Sequence, residues 1–138
     1  MENRRFLVDT NVFLEVLLEQ EKASESGRFL HRVAVDRLFM SDFTLHSIGV
    51  VLIRERKHSL LSALVRDLFS PPAVNLVGLN PSEILELIDV AKRYHLDFDD
   101  SYQYGVAEKY DLVIVTYDSD FARTARGGVT PGDVLSWV

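Results

Sequence analysis

Apolar and polar positions along the chain switch repeatedly between a strand-like and a helix-like period, which predicts an alternating α/β fold. Phe6 to Val8 reads as a short buried strand, and beyond it Val12, Phe13, Val16 and Leu17 recur at helical spacing through Gln20. Ser24 and Ser26 offer caps for a second helix that runs through Phe29, Leu30 and Val33 toward Val35, and Leu38 to Met40 reads as a second strand. A long apolar helix is expected over 43–56. Ser59 is placed to cap another helix over 60–69, which Pro71 and Pro72 end.

The alternation continues in the second half without a sequence repeat. Ala73 to Leu79 predicts a strand, and Asn80-Pro81-Ser82-Glu83 is a strong helix start, with a proline in the first turn. Ile84, Leu87, Ile88 and Ala91 form the expected buried stripe, and Tyr94-His95-Leu96 its end. A helix from about Phe98 to Lys109 leads into Leu112 to Thr116, an uncharged run rich in β-branched residues that reads as a central strand. Gly127 and Gly128 mark a turn before a short edge strand near Val129, and a last segment starts at Pro131. No linker or low-complexity stretch interrupts the pattern, so a single domain over 1–138 is expected.

Composition narrows the setting. A chain of 138 residues with 47% hydrophobic content is long enough for one core. It has no cysteine, which excludes disulfides, zinc-thiolate sites and thiol nucleophiles and suits a reducing cytoplasm. Asp9 and Asn11 interrupt the first apolar stretch, so no signal peptide is expected, and no run approaches the roughly 18 apolar residues of a membrane span. A net charge of −6 argues against gripping nucleic acid by bulk electrostatics. Local basic patches remain, of which Arg54, Arg56 and Lys57 form the densest; each is a candidate phosphate contact or simply solvated surface.

The acids carry the chemistry. Asp9 ends the first strand, Asp99 and Asp100 open the late helix, and Asp118 follows the last strong strand. In an open α/β sheet ligands bind beyond the carboxyl ends of parallel strands, so acids delivered there converge. Converging carboxylates need a proton or a cation among them, and Mg2+ or Mn2+ suits such oxygen ligands. Metal-assisted hydrolysis of a phosphodiester is the chemistry this suggests. A purely structural reading stands beside it: Asp97 and Asp100 are spaced like a cap and its third helical residue, and Asp9 and Asp118 can each cap the helix that follows. Capping explains three helix starts without explaining why all three share one rim. Asp99, turned about 100° from its neighbour, fits a solvated helix-start acid better than a ligand. Tyr102 and Tyr104 could stack on a base or fill the core.

Leu7-Val8-Asp9-Thr10-Asn11, then Asp99-Asp100-Ser101 with Ala107 in the same helix, then Val115-Thr116-Tyr117-Asp118-Ser119-Asp120-Phe121 and a late Thr130-Pro131 resemble, in order and spacing, the signature of PIN domains. These are metal-dependent ribonucleases that include the VapC-like toxins of toxin-antitoxin pairs. The resemblance implies a PIN-like three-layer α/β/α sandwich with a central, mainly parallel sheet of about five strands. It also implies an endoribonuclease acting on single-stranded RNA, with Asp9, Asp100 and Asp118 as catalytic acids and ligands of Mg2+ or Mn2+. Thr10 or Asn11 would orient Asp9 or a bound water, Thr116 and Asp99 would border the cluster, and Asp120 would support it or serve a second metal. A small antitoxin partner and a homodimer follow from the same likeness.

One departure matters. PIN nucleases usually place a glutamate in the helix after the second strand, where this chain has Ser47, and Glu55 lies about two turns further on. The alternatives are a one-metal enzyme, a site completed by another residue, or a weakened domain that serves as a nucleic-acid or protein binding module. The homodimer has support in the residues themselves: Leu45, Ile48, Val50, Val51, Leu52 and Ile53 surround most of one helix, more than one sheet face needs. Phosphoryl transfer of the haloacid-dehalogenase type is discouraged, because Asn11 stands where that family has a second aspartate.

Overall fold

The computed structural model describes residues 3–137; positions 1, 2 and 138, included in the expected domain, lie outside the described residues. In chain order the elements are β1 Phe6–Val8, α1 Thr10–Leu17, α2 Ala23–Arg32, a 3-10 turn Val35–Arg37, β2 Leu38–Ser41, α3 Asp42–Arg54, α4 His58–Phe69, β3 Asn75–Val77, α5 Pro81–Tyr94, α6 Phe98–Tyr110, β4 Val113–Val115, a 3-10 turn Ser119–Arg123, and α7 Pro131–Ser136. The sheet order is β3-β2-β1-β4 and every pairing is parallel. Each strand therefore presents its carboxyl end to the same rim.

Strand alternation builds the layers. Phe6, Val8, Leu38, Met40 and Val115 point to one face, where Val12 and Phe13 of α1, Phe29 of α2, Ile48 and Leu52 of α3 and Val134 of α7 complete a core. Leu7, Phe39 and Ile114 point to the other, against Leu87 of α5 and Tyr102, Tyr104, Val106 and Ala107 of α6. This is the expected three-layer α/β/α sandwich. α5 starts where expected, and there Asn80 and Glu83 form a full capping box.

The structure corrects several local expectations. Four strands are present among the described residues, because Val129 makes only an isolated parallel bridge to Val115. Gly127, at φ +66°, and the Thr130 cap of α7 leave no room for a longer strand between them. β4 is terminal in the sheet, not central; helices cover both of its faces, so it reads as apolar without an inner position. α2 begins at Ala23 without a side-chain cap and ends at Arg32, while Ser26 lies inside it and hydrogen-bonds the Tyr117 hydroxyl at 2.9 Å. α4 likewise begins at His58, ahead of Ser59, without a side-chain cap. Ile88 is 52% exposed, so α5 buries a narrower stripe centred on Leu87. Among the described residues no helix is long and apolar enough to cross a membrane.

Candidate metal centre

The strand register sets the geometry of the rim. Val8 pairs with Val115 and Ser41 with Val77, and the amide of Asp9 donates to the carbonyl of Val115 at 2.9 Å. Asp9, Thr116 and Ser41 thus stand side by side where their strands end, and the order 3-2-1-4 puts the topological switch point between β1 and β4.

Asp9 is the centre of a buried polar network. Its Oδ1 accepts from the Thr10 amide at 2.8 Å and from Gln103 Nε2 at 2.9 Å. Its Oδ2 accepts from Thr116 Oγ1 at 2.8 Å and more loosely from Asn11 Nδ2 at 3.3 Å. Asn11 Nδ2 also reaches Thr116 Oγ1, and its carbonyl oxygen accepts from the Tyr117 amide. Gln103, only 1% exposed, donates as well to Thr44 Oγ1 at 2.8 Å and accepts from Ser41 Oγ at 2.7 Å. Thr44 and Thr10 share a hydroxyl bond at 3.0 Å, and the Ser41 hydroxyl caps α3 through the Thr44 amide. The lone pairs of Asp9 are therefore taken up by protein donors. Burial pushes its carboxyl above the ordinary range; the bonds from Gln103, Thr116 and Thr10 pull it back, and the charge of Asp118 adds to the rise.

Beside this network lies an acidic cluster. Asp100, Asp118 and Asp120 each offer a carboxylate oxygen within 4.8 Å of the others. Asp97 caps α6 by accepting the Asp100 amide at 2.9 Å, which fixes Asp100 in the first turn. Asp118 accepts the Asp120 amide at 2.8 Å, and its own amide is held by Thr116 Oγ1. Burial pushes the Asp100 carboxyl up to about 8, with Asp118, Asp97 and Asp9 adding repulsion and Asp118 close enough to share its proton. Among the described residues no ion pair reaches Asp9, Asp100 or Asp118; Asp120 alone meets a guanidinium, that of Arg123 at 3.4 Å. Asp9, Asp97 and Asp118 each accept a backbone amide at the start of the helical segment that follows, as the capping reading expects, and the carboxylates of Asp100, Asp118 and Asp120 lie together.

The other candidate residues are placed less uniformly. Thr10, Asn11 and Thr116 join the Asp9 network, and Asp120 lies in the acidic cluster with Asp100 and Asp118. Asp99 is exposed, as a helix-start acid should be. Ser47 is half-buried on α3, three residues beyond Thr44 and so on a neighbouring part of the same helix face. Arg54, Arg56 and Lys57 are exposed near the far end of α3, about 18 Å along the axis from its first residue, and are not brought to the acids. Tyr102 and Tyr104 are buried at 6% and 2% exposure, which removes both as stacking surfaces. Gln103 and Thr44 were not among the candidates. An amide in mid-helix has no sequence signature that separates it from a surface residue, and only its position three residues after Asp100 hinted at a shared face.

A family model described as PIN domain matches residues 6–127. Among solved structures, VapC20 of Mycobacterium tuberculosis, a sarcin-ricin loop cleaving toxin, superposes with a TM-score of 0.72 at 17% identity, covering 90% of this chain and 96% of that one. A toxin-antitoxin complex from Klebsiella pneumoniae gives 0.65 at 20% identity over 91% and 96% of the respective chains. FitAcB from Neisseria gonorrhoeae gives 0.69 at 17% identity over 92% and 98%. At such identities the likeness speaks for the fold. No curated protein matches the chain significantly.

Proposed function

The chain belongs to the PIN domain family, and from that premise we propose that it is a divalent-metal-dependent endoribonuclease that hydrolyses phosphodiester bonds of single-stranded RNA, acting as the toxin of a toxin-antitoxin pair. The observation that carries this reading is the convergence of Asp100, Asp118 and Asp120 beside the pinned carboxylate of Asp9. Three hard oxygen donors without a basic counterpart at Asp100 or Asp118 fit Mg2+ or Mn2+, and those three residues would hold the ion. When bound, the cation supplies charge neutralisation at the scissile phosphate and a more acidic water. The rest falls to the chain itself. Thr10, Thr116 and Gln103 fix Asp9 so that its negative charge adds to the potential that favours the ion, and the caps at Asp97 and Asp118 hold the first turns that present the other acids. No side chain needs to act as nucleophile.

The names of the similar structures support the biological setting: one is a toxin that cleaves RNA at the sarcin-ricin loop, another a toxin bound to its antitoxin. An antitoxin segment would lie in the apolar cleft between α1, α2 and α4, lined by Phe13, Leu17, Leu30, Leu60, Leu64 and Leu68. α4 contains no fully buried residue, which suits a helix that waits for cover. The exposed side chains of Val50, Ile53 and Val65 on α3 and α4 suit a homodimer contact, and the cytoplasm is the setting we assign.

A second reading is favoured by one observation, Ser47 in place of the usual carboxylate: a PIN domain that binds nucleic acid or protein and cleaves weakly or not at all. Incubation of single-stranded RNA with the parent chain and with Asp118→Asn, in Mn2+ and in EDTA, separates the two. Cleavage by the parent in Mn2+ alone supports the nuclease. RNA left intact by the parent in Mn2+ supports the binding module, and cleavage that survives EDTA or the substitution contradicts the metal-dependent nuclease.

A further inference from the structure

Phe98 is the one aromatic side chain among the described residues that falls in the exposed class, with 54% of its surface open. It occupies the first helical position of α6, in the same turn as Asp100, their Cα atoms roughly 5 Å apart. Two residues along a helix turn the side chain by about 200°, so Asp100 faces the acidic cluster while Phe98 faces the opposite side of that turn. There it packs on Tyr102 with ring centroids 6.0 Å apart, and Tyr102 packs in turn on Phe43 at 5.8 Å. Tyr102 is held firmly: its hydroxyl donates to Asp42 Oδ1 at 2.7 Å and accepts from the Leu79 amide at 3.0 Å. Asp42 follows the end of β2 and Leu79 lies just past β3, so this aromatic column stands on the same rim as the acids, displaced toward the β3 edge.

Tyr102 is buried, whereas Phe98 keeps half of its ring open at a helix start, a position that favours proline or short acids. We propose that Phe98 is a stacking platform for a nucleobase of the RNA strand, one that binds across the N-terminal turn of α6 with its scissile phosphate at the acids. The inference rests on the nuclease reading above and adds a substrate-positioning residue to it. The ring rests against Tyr102 at a tilt of 48° and keeps 54% of its surface open, enough for a base to lie on it. A single ring gives no hydrogen bond to a base edge, so it orders the strand without dictating sequence.

The test is anisotropy of a fluorescein-labelled single-stranded RNA oligomer, with Ca2+ in place of Mg2+ and the RNA checked intact on a gel, together with quenching of 2-aminopurine placed along the oligomer. Phe98→Leu is expected to weaken binding roughly tenfold and to abolish quenching at one position, while Phe98→Trp retains both. Thermal melts confirm that each variant is folded, and Leu keeps the contact with Tyr102 should Ala fail to fold. If the parent binds RNA and Phe98→Leu binds it within twofold with the quenching unchanged, the platform is wrong and the nuclease reading stands. If the parent binds no RNA, the nuclease reading fails and takes the platform with it. If Phe98→Leu instead changes the sedimentation of the free protein, the ring serves a protein contact and the proposal is overturned.

Discussion

Replacing Gln103 by leucine isolates the contribution of the buried network. The two side chains are close in size, so the core keeps its volume while three hydrogen bonds disappear: one to the Asp9 carboxylate and one each to Thr44 and Ser41. The amide orientation is dictated by chemistry, since Asp9 can only accept and must face the NH2 group. A buried bond to a charged acceptor contributes about 1.5 to 3 kcal/mol and a neutral one about 1 kcal/mol, so the loss is about 3 to 5 kcal/mol. For a chain of 138 residues that corresponds to a fall in Tm of roughly 10 to 20 °C. The deficit should grow with pH. Gln103 holds the Asp9 carboxyl down, so its removal raises the folded-state pKa further. A raised folded pKa keeps the proton on the native protein after the unfolded chain has released it, and stability falls as pH rises through that window. Calorimetric melts of parent and variant at pH 5 and pH 8 in EDTA measure both effects. A variant that melts within two degrees of the parent at pH 8 would refute the idea that Gln103 pins Asp9.

Further outcomes follow from the same geometry. Asp118→Asn should abolish metal-dependent cleavage yet raise the metal-free Tm by a few degrees, because it removes a charge that repels Asp100 while its amide oxygen can still cap the 3-10 turn; a lower Tm with activity retained would show the acid is only a cap. In EDTA the parent should lose stability steadily between about pH 4 and pH 8, the interval in which Asp100 holds its proton when folded and the unfolded chain does not; saturating Mn2+ should flatten that slope, and a flat metal-free profile would contradict the raised carboxyl. Ser47→Glu should tighten Mn2+ binding severalfold in a calorimetric titration, since position 47 neighbours Thr44 on the helix face that borders the network; unchanged affinity would mean that the side chain at 47 does not reach the ion.

What could be read in the sequence were features carried by local pattern. An aspartate after an apolar run, a proline in a first turn and a switch from period two to period 3.6 each depend on a few adjacent residues, so the end of β1 before Asp9, the start of α5 at Pro81 and the end of β4 ahead of Asp118 were legible. What could not be read depends on contacts distant in the chain. The bond between Asp9 and Gln103 spans 94 residues and that between Asp9 and Thr116 spans 107, so the saturation of Asp9 had no local sign. The same separation in sequence hides which acids meet: Asp120 lies with Asp100 and Asp118, and Asp9 stands beside them within its hydrogen-bond network. The place of β4 was misread for a related reason: hydrophobic content reports burial of a strand's two faces and is silent about how many neighbours it has. Ile88 has the helical spacing of a core residue, but α5 crosses α6 where Gly105 brings Leu87 close, and the contact is too narrow to cover it.

Anomalous diffraction from crystals soaked in millimolar Mn2+ decides whether these acids form a divalent-metal site. A peak coordinated by Asp100, Asp118 and Asp120 is expected, with Asp9 retaining its bonds to Gln103 and Thr116. No peak in that cluster, or Mn2+ bound elsewhere on the chain, would contradict it.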